Sequence, residues 1–234
     1  MCDAPTVSHN EITAIAGKAI RGLNNPWCEP DLIGPATADL DAMALNGVAR
    51  LADALPQIAA EPGQSPGLPQ RRRHTAQLNL QHRSAWCHLP SLATWLTEQD
   101  YDELILTHCR DIAAGIALLR HTVTPPNHLE LHFHDHTLGT CRALFHTPGQ
   151  PPDLYLGNTT LPPDTTRLRI HRHPQQQPPS DPTPDITTEQ LLKRRLQALR
   201  TGLSPSANHW QTLHHYAKAI LVPTSVQSES GAGE

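Results

Sequence analysis

The stretch from His128 to His173 constrains the fold most, because it is where apolar residues alternate with polar ones over several consecutive segments. Leu129, Leu131 and Phe133 fall on one face of an extended segment, and Glu130, His132, His134 and His136 on the other. A period of two is the signature of a half-buried strand. Thr137-Leu138-Gly139-Thr140 then separates strand 128–136 from strand 141–146, as a hairpin connection would. Leu154-Tyr155-Leu156 reads as a third strand. Arg167 to His171 reads as a fourth, with Leu168 and Ile170 inward and Arg167, Arg169 and His171 outward. The fold class expected is α+β, an antiparallel sheet of about four strands packed on one face against N-terminal and C-terminal helices.

Helical signals flank that block. Ser8 and Glu11 form a capping box, and Ile12, Ile15, Ala16, Ala19, Ile20 and Leu23 make a stripe over helix 9–22. Trp27 should pack back on it. Pro35 suits the first turn of a second helix running to about residue 60. The segment 61–74 is broken by Pro and Gly and reads as a loop, closing on Arg71-Arg72-Arg73-His74. Residues 75–88 alternate weakly, as a short strand. Pro90-Ser91 opens a short helix. Residues 101–120 read as a helix, with Leu104, Ile105, Cys109, Ile112, Ile116 and Leu119 sharing a face, which makes Cys109 a buried apolar thiol. The segment 174–186 is a Pro/Gln-rich linker. Thr187 and Gln190 cap a helix with Leu191, Leu192, Leu196 and Leu199 inside and Lys193, Arg194, Arg195 and Arg200 outside. Ser206 opens a last helix that Pro223 stops, and 224–234 is a polar tail. At 234 residues the chain is read as a single domain, 1–234.

The net charge of −4 argues against a surface built to track nucleic acid. Five cysteines, widely spaced and without a C-x-x-C, read as reduced thiols in a cytoplasmic protein. The N-terminal residues lack the apolar region of a secretory signal, and no apolar run approaches the ~20 residues of a membrane span.

Candidate sites gather on the polar face of the sheet. His132, His134 and His136 lie at i, i+2 and i+4, and two histidines so spaced can share a divalent metal, the cofactor class this face would take. HFHDH is one residue short of the metallo-hydrolase H-x-H-x-D-H and is not that motif. Glu130 with His132 or His134 could form an acid–base pair, the catalytic candidates. Arg167, Arg169 and His171 are candidate ligands for a carboxylate or phosphate. No Walker A, G-x-G-x-x-G, G-x-S-x-G or H-E-x-x-H motif occurs.

Two terminal segments carry a family resemblance. SHNEITAIAGKAIRGLNNPW (8–27) is similar to the opening of a bacterial family catalogued as domain of unknown function 3726, through Ser8, Asn10, Glu11, Lys18, Ala19, Arg21, Gly22 and Trp27. Residues 209–233 resemble its closing helix, V-P step and Ser-rich GAG tail, through Trp210, Leu213, Ala217, Val222, Pro223, Thr224, Ser225, Ser228, Gly231, Ala232 and Gly233. The tail is shorter than the family's and the Gln/Pro linker longer. The resemblance implies one domain and names no reaction. The function expected is a cytoplasmic accessory or ligand-binding protein that works beside a metabolic enzyme, with a protein or a small anionic metabolite as partner. The alternative is a small metal- or His-dependent enzyme acting on such a metabolite.

Overall fold

The computed structural model describes residues 5–61, 63, 65–99, 101–121, 127–157, 166–174 and 183–220. Expectations for the tail 224–234 and for most of the 174–186 linker fall outside these residues.

A seven-stranded mixed sheet organises the chain, in the order β1-β2-β3-β7-β4-β5-β6. The strands are β1 Gln70–Arg72, β2 Thr75–Ser84, β3 Glu103–Arg110, β4 Asn127–Asp135, β5 Gly139–Phe145, β6 Asp153–Leu156 and β7 Leu168–Pro174. This replaces the expected four-stranded antiparallel sheet, and the difference lies in its first half. β2 and β3 pair in parallel, Thr75 opposite Glu103 through Asn79 opposite Thr107. β7 then joins the two halves, antiparallel to β3 on one side and to β4 on the other. Consequently β2, β3 and β4 all point the same way, and their C-terminal ends come out along one edge. The expected hairpin is present, with His132 opposite Arg142 and Phe133 opposite Cys141.

The 101–120 helix was misread because two periods overlap there. Leu104 and Leu106 are fully buried between partly exposed Glu103, Ile105 and Thr107, a period of two, which slips by one residue at the left-handed His108 so that Cys109 is buried again. Only beyond Asp111, whose backbone is left-handed, does the chain turn into short helical segments, among them α5 Gly115–Leu118. Cys109 is fully buried as expected, but on a strand, and burial pushes its thiol up. In the 61–74 loop, Gln70–Arg72 is a strand paired antiparallel to β2.

The helices are α1 His9–Gly22, α2 Pro30–Ala42, α3 Gly47–Ala59, α4 Ala85–Glu98, α6 Thr188–Thr201 and α7 Ala207–Ala217. α1 has the expected capping box, and so does α6 at Thr187 and Gln190. The single helix expected over 35–60 is two. Ala44 and Asn46 have positive φ and break it, and a Cβ on Gly47 would lie 2.0 Å from the Thr37 carbonyl oxygen. Only glycine lets α3 cross α2 that closely. α4 starts at Ala85, capped by Ser84, rather than at Pro90. On α6 the inward residues are Leu191, Ala198 and Arg195, while Leu196 and Leu199 are about half exposed. The apolar face of the sheet (Leu129, Leu131, Phe133, Leu168, Ile170) packs under α5, whose Gly115 sits directly over Leu131.

Cys28 and Cys87 form a disulfide, Cα atoms 4.1 Å apart, tying the segment before α2 to α4. The expectation of reduced thiols fails for this pair, since residues 59 positions apart in sequence meet only in the fold. Cys109 and Cys141 are buried free thiols. By the chain-entropy account, a loop of this length makes the bridge worth about 4 kcal/mol. Urea denaturation of the oxidised protein should therefore lose roughly that much on addition of reductant, and Cys28→Ser should be insensitive to it. Equal stability of wild type with and without reductant would show that the bridge does not form in solution.

Candidate functional site

The candidate residues divide between two places. Glu130 and His132 stay on the polar sheet face. Glu130 is buried there among His132 (2.6 Å), His173 (2.6 Å) and the Arg142 guanidinium. Burial alone would raise its carboxyl, but the hydrogen bonds from His132, His173 and Arg142 outweigh this and hold it far below the usual carboxylate range. His171 lies over His132, ring centroids 5.4 Å apart, and burial lowers its pKa. Arg169 and His171 both face Glu103, at 4.0 and 3.4 Å. A buried carboxylate with three basic side chains on it is the geometry of a structural polar cluster. Among the described residues no three His, Cys, Asp or Glu side chains are grouped as metal ligands would be.

His134 and His136 go elsewhere. β4 ends at Asp135, so His136 lies past the strand, and the expected four-residue polar face breaks at the turn. Both histidines line a cleft of about 490 Å³. One wall is the face of α3 carrying Arg50, Asp53 and Gln57, with Asn46 before it; the opposite wall is the end of β3, Cys109–Ile112. The tip of the β4–β5 hairpin closes the side. The cleft therefore sits at the carboxyl ends of co-directed strands, where ligands of open α/β sheets bind. Its volume is within the range of small-molecule sites.

Four features of the cleft wall bear on chemistry. Arg50 donates two hydrogen bonds to Asp135, 2.8 and 2.9 Å, while Asp135 accepts from the backbone of Thr137 and Leu138. Burial would raise Asp135, but Arg50 prevails and its pKa is lowered. Arg110 donates a long hydrogen bond, 3.4 Å, to Glu61, and its Nε is buried with no partner among the described residues. Asp111, in the left-handed conformation, accepts a hydrogen bond from the Ser84 hydroxyl, and burial raises its carboxyl. Asn46 is left-handed as well, and its side chain makes no cap bond to α3. Backbone in sparsely populated conformations tends to gather at functional sites.

Residues 7–86 match the model of a protein family of unknown function, DUF3726. That segment contains the expected opening resemblance, together with α1–α3 and the α3 wall of the cleft. The resemblance of 209–233 lies outside the matched residues. No curated protein matches the sequence. Solved structures show the same fold: an E. coli protein assigned as a malate/lactate dehydrogenase (TM-score 0.60, 9% identity, covering 97% of this chain and 98% of that one), malate dehydrogenase from Pyrococcus horikoshii OT3 (0.59, 9%, 94% and 97%), and sulfolactate dehydrogenase from Methanocaldococcus jannaschii (0.56, 7%, 92% and 97%). Among the described residues no helix is long and apolar enough to cross a membrane.

Sequence reasoning missed Asn46, Arg50, Arg110, Asp111 and Asp135. The one local sign was Asn46-Gly47 in the middle of an otherwise helical pattern, a turn dipeptide that should have split the helix.

The depressed carboxylates set a pH dependence. A group whose folded pKa is below its unfolded value adds stability above the unfolded pKa, near 4, and loses it as pH falls through the folded one. Glu130, Asp135 and Asp39, the last held by His9, Arg120 and Arg195, all have this sign. Stability should therefore fall steeply as pH drops below about 4. Glu130→Gln should be less stable at neutral pH and have a shallower acid limb in urea denaturation. An unchanged acid limb would remove Glu130 from the cluster.

Proposed function

We propose that this chain is a ligand-binding protein, accessory to a metabolic enzyme, whose cleft takes a small anionic metabolite bearing a carboxylate. The observation that carries the reading is Arg110, a guanidinium in the cleft wall with a long ion pair and an unpartnered Nε. A planar guanidinium of this kind favours a planar, two-oxygen partner such as a carboxylate. His134 and His136 line the same cleft and offer further polar contacts. The neighbours in fold are named for malate, lactate and sulfolactate, each a carboxylate with a hydroxyl on the adjacent carbon, and this supports the ligand class.

A catalytic reading has one observation in its favour. Burial raises the Asp111 carboxyl beside Arg110, the kind of tuning that suits an acid–base group. Dehydrogenation would also need a hydride acceptor. Nucleotide pyrophosphates are held where glycines let backbone approach, and no glycine lines this cleft among the described residues.

Calorimetric titration with lactate tests the proposal. Wild type should bind, and Arg110→Met should weaken binding at least tenfold, the loss of one charge-assisted contact of ~1.5–3 kcal/mol. Glu130→Gln, on the sheet face, should bind like wild type. Retained affinity in Arg110→Met would contradict the assignment.

A further inference from the structure

A groove of about 550 Å³ lies on the polar face of the sheet where β1, β2 and β3 meet, and it shares no lining residue with the cleft. Four side-chain amides line it, Gln70 on β1 and Gln77, Asn79 and Gln81 on β2. Gln70 lies directly opposite Gln77, and Asn79 directly opposite Thr107, which joins the wall. Ala76, Leu78 and Leu80, the alternate residues of β2, are buried, so the amides are what that strand presents outward. Before β1, the Ser65 hydroxyl accepts from the Gly67 amide in a turn, and Leu68 follows in the groove wall, 87% exposed.

Positive charge stands at two corners. Arg72 lines the groove and pairs with no carboxylate among the described residues. Arg167 flanks the far corner: Leu168 pairs with Leu106, and the next step of that antiparallel register sets Arg167 beside Thr107. Its Nε is buried without an acceptor, and no carboxylate among the described residues pairs with it. No acidic residue lines the groove among the described residues. Glu103, two strands from Arg72, is taken up by the Thr75 hydroxyl at 3.3 Å, His171 at 3.4 Å and Arg169 at 4.0 Å. Strand spacing and rise put Arg72 and Arg167 roughly 20 Å apart, the length of about six extended residues.

This combination fits an extended peptide. An amide side chain both donates and accepts, as a peptide backbone requires. Leu68 offers an apolar contact to one side chain, and the two guanidiniums favour carboxylates at the ends. Single-stranded nucleic acid, another linear polyanion, is gripped by stacking its bases on aromatic rings. No Phe, Tyr or Trp lines the groove among the described residues, and the net charge of −4 also disfavours that ligand.

We infer that this groove docks an extended segment of a partner protein that carries an acidic residue at each end. This rests on the accessory reading proposed above and supplies its contact surface, while the metabolite keeps the cleft.

Anisotropy titration of the whole protein with a labelled, end-capped hexapeptide, Glu-Ser-Leu-Ser-Ser-Glu, tests it, with Gln at both ends as the control. The acid-ended peptide should bind at least fivefold tighter than the control. Arg72→Gln and Arg167→Gln should each reduce that preference, and Leu68→Ser should weaken both peptides. Lys193→Gln, on the exposed face of α6, should change nothing. Equal affinity for the two peptides in wild type, a preference that survives both arginine substitutions, or tighter binding of hexathymidylate than of the acid-ended peptide would overturn the groove assignment. Lactate binding without peptide binding would overturn the groove alone, and absence of both would overturn the cleft assignment as well.

Discussion

The bridge between Arg50 and Asp135 is the interaction on which the site depends. Arg50 belongs to a helix of the N-terminal layer and Asp135 to the last position of a sheet strand 85 residues later. Two parallel hydrogen bonds fix both distance and angle between them, as a single contact would not. Both side chains are more than four-fifths covered, so the pair is weakly screened, and loss of either member would strand a charge. Arg50 also donates to the Leu45 carbonyl, and Asp135 organises the turn that presents His136. The cleft is the space this strut holds open between α3 and the end of β3.

Polar groups in this fold do two kinds of work, and satisfaction of partners separates them. Glu130 and Asp39 each have three basic side chains as partners, and the carboxyl of each is held below its ordinary range. Such clusters hold elements together; Asp39 gathers α1, α2, α6 and the turn after α5 on one carboxylate. Arg110 and Asp111 are under-satisfied by comparison, and they sit where the sheet opens.

Legibility from sequence followed the range of the forces involved. The capping boxes at Ser8 and Thr187, the stripe of α1 and the β4–β5 hairpin are local, and all appear as read. β3 was lost because Leu104, Ile105, Cys109 and Ile112 satisfy a helical period by accident, while its strand identity comes from pairing with β2 and β7, partners 28 and 66 positions away at Glu103–Thr75 and Leu104–Ile170. Parallel pairing of that kind leaves no turn signal to read. The disulfide was invisible for the same reason. Of the site, His134 and His136 were legible as members of a polar alternation, but their separation from Glu130 and His132 required the position at which β4 stops. Arg50 and Arg110 looked like ordinary charges because their roles depend on elements brought together only by the sheet.

On the proposed function, ligand chemistry resides in the cleft and not on the histidine-rich sheet face. Backbone amide shifts of the isotope-labelled protein, followed during titration with lactate, test it directly. The shifts should concentrate at Asn46, Arg110, Asp111, His136 and Thr137, with His132, Arg169 and His171 unmoved. Shifts centred on His132, Arg169 and His171, with the cleft silent, would contradict it.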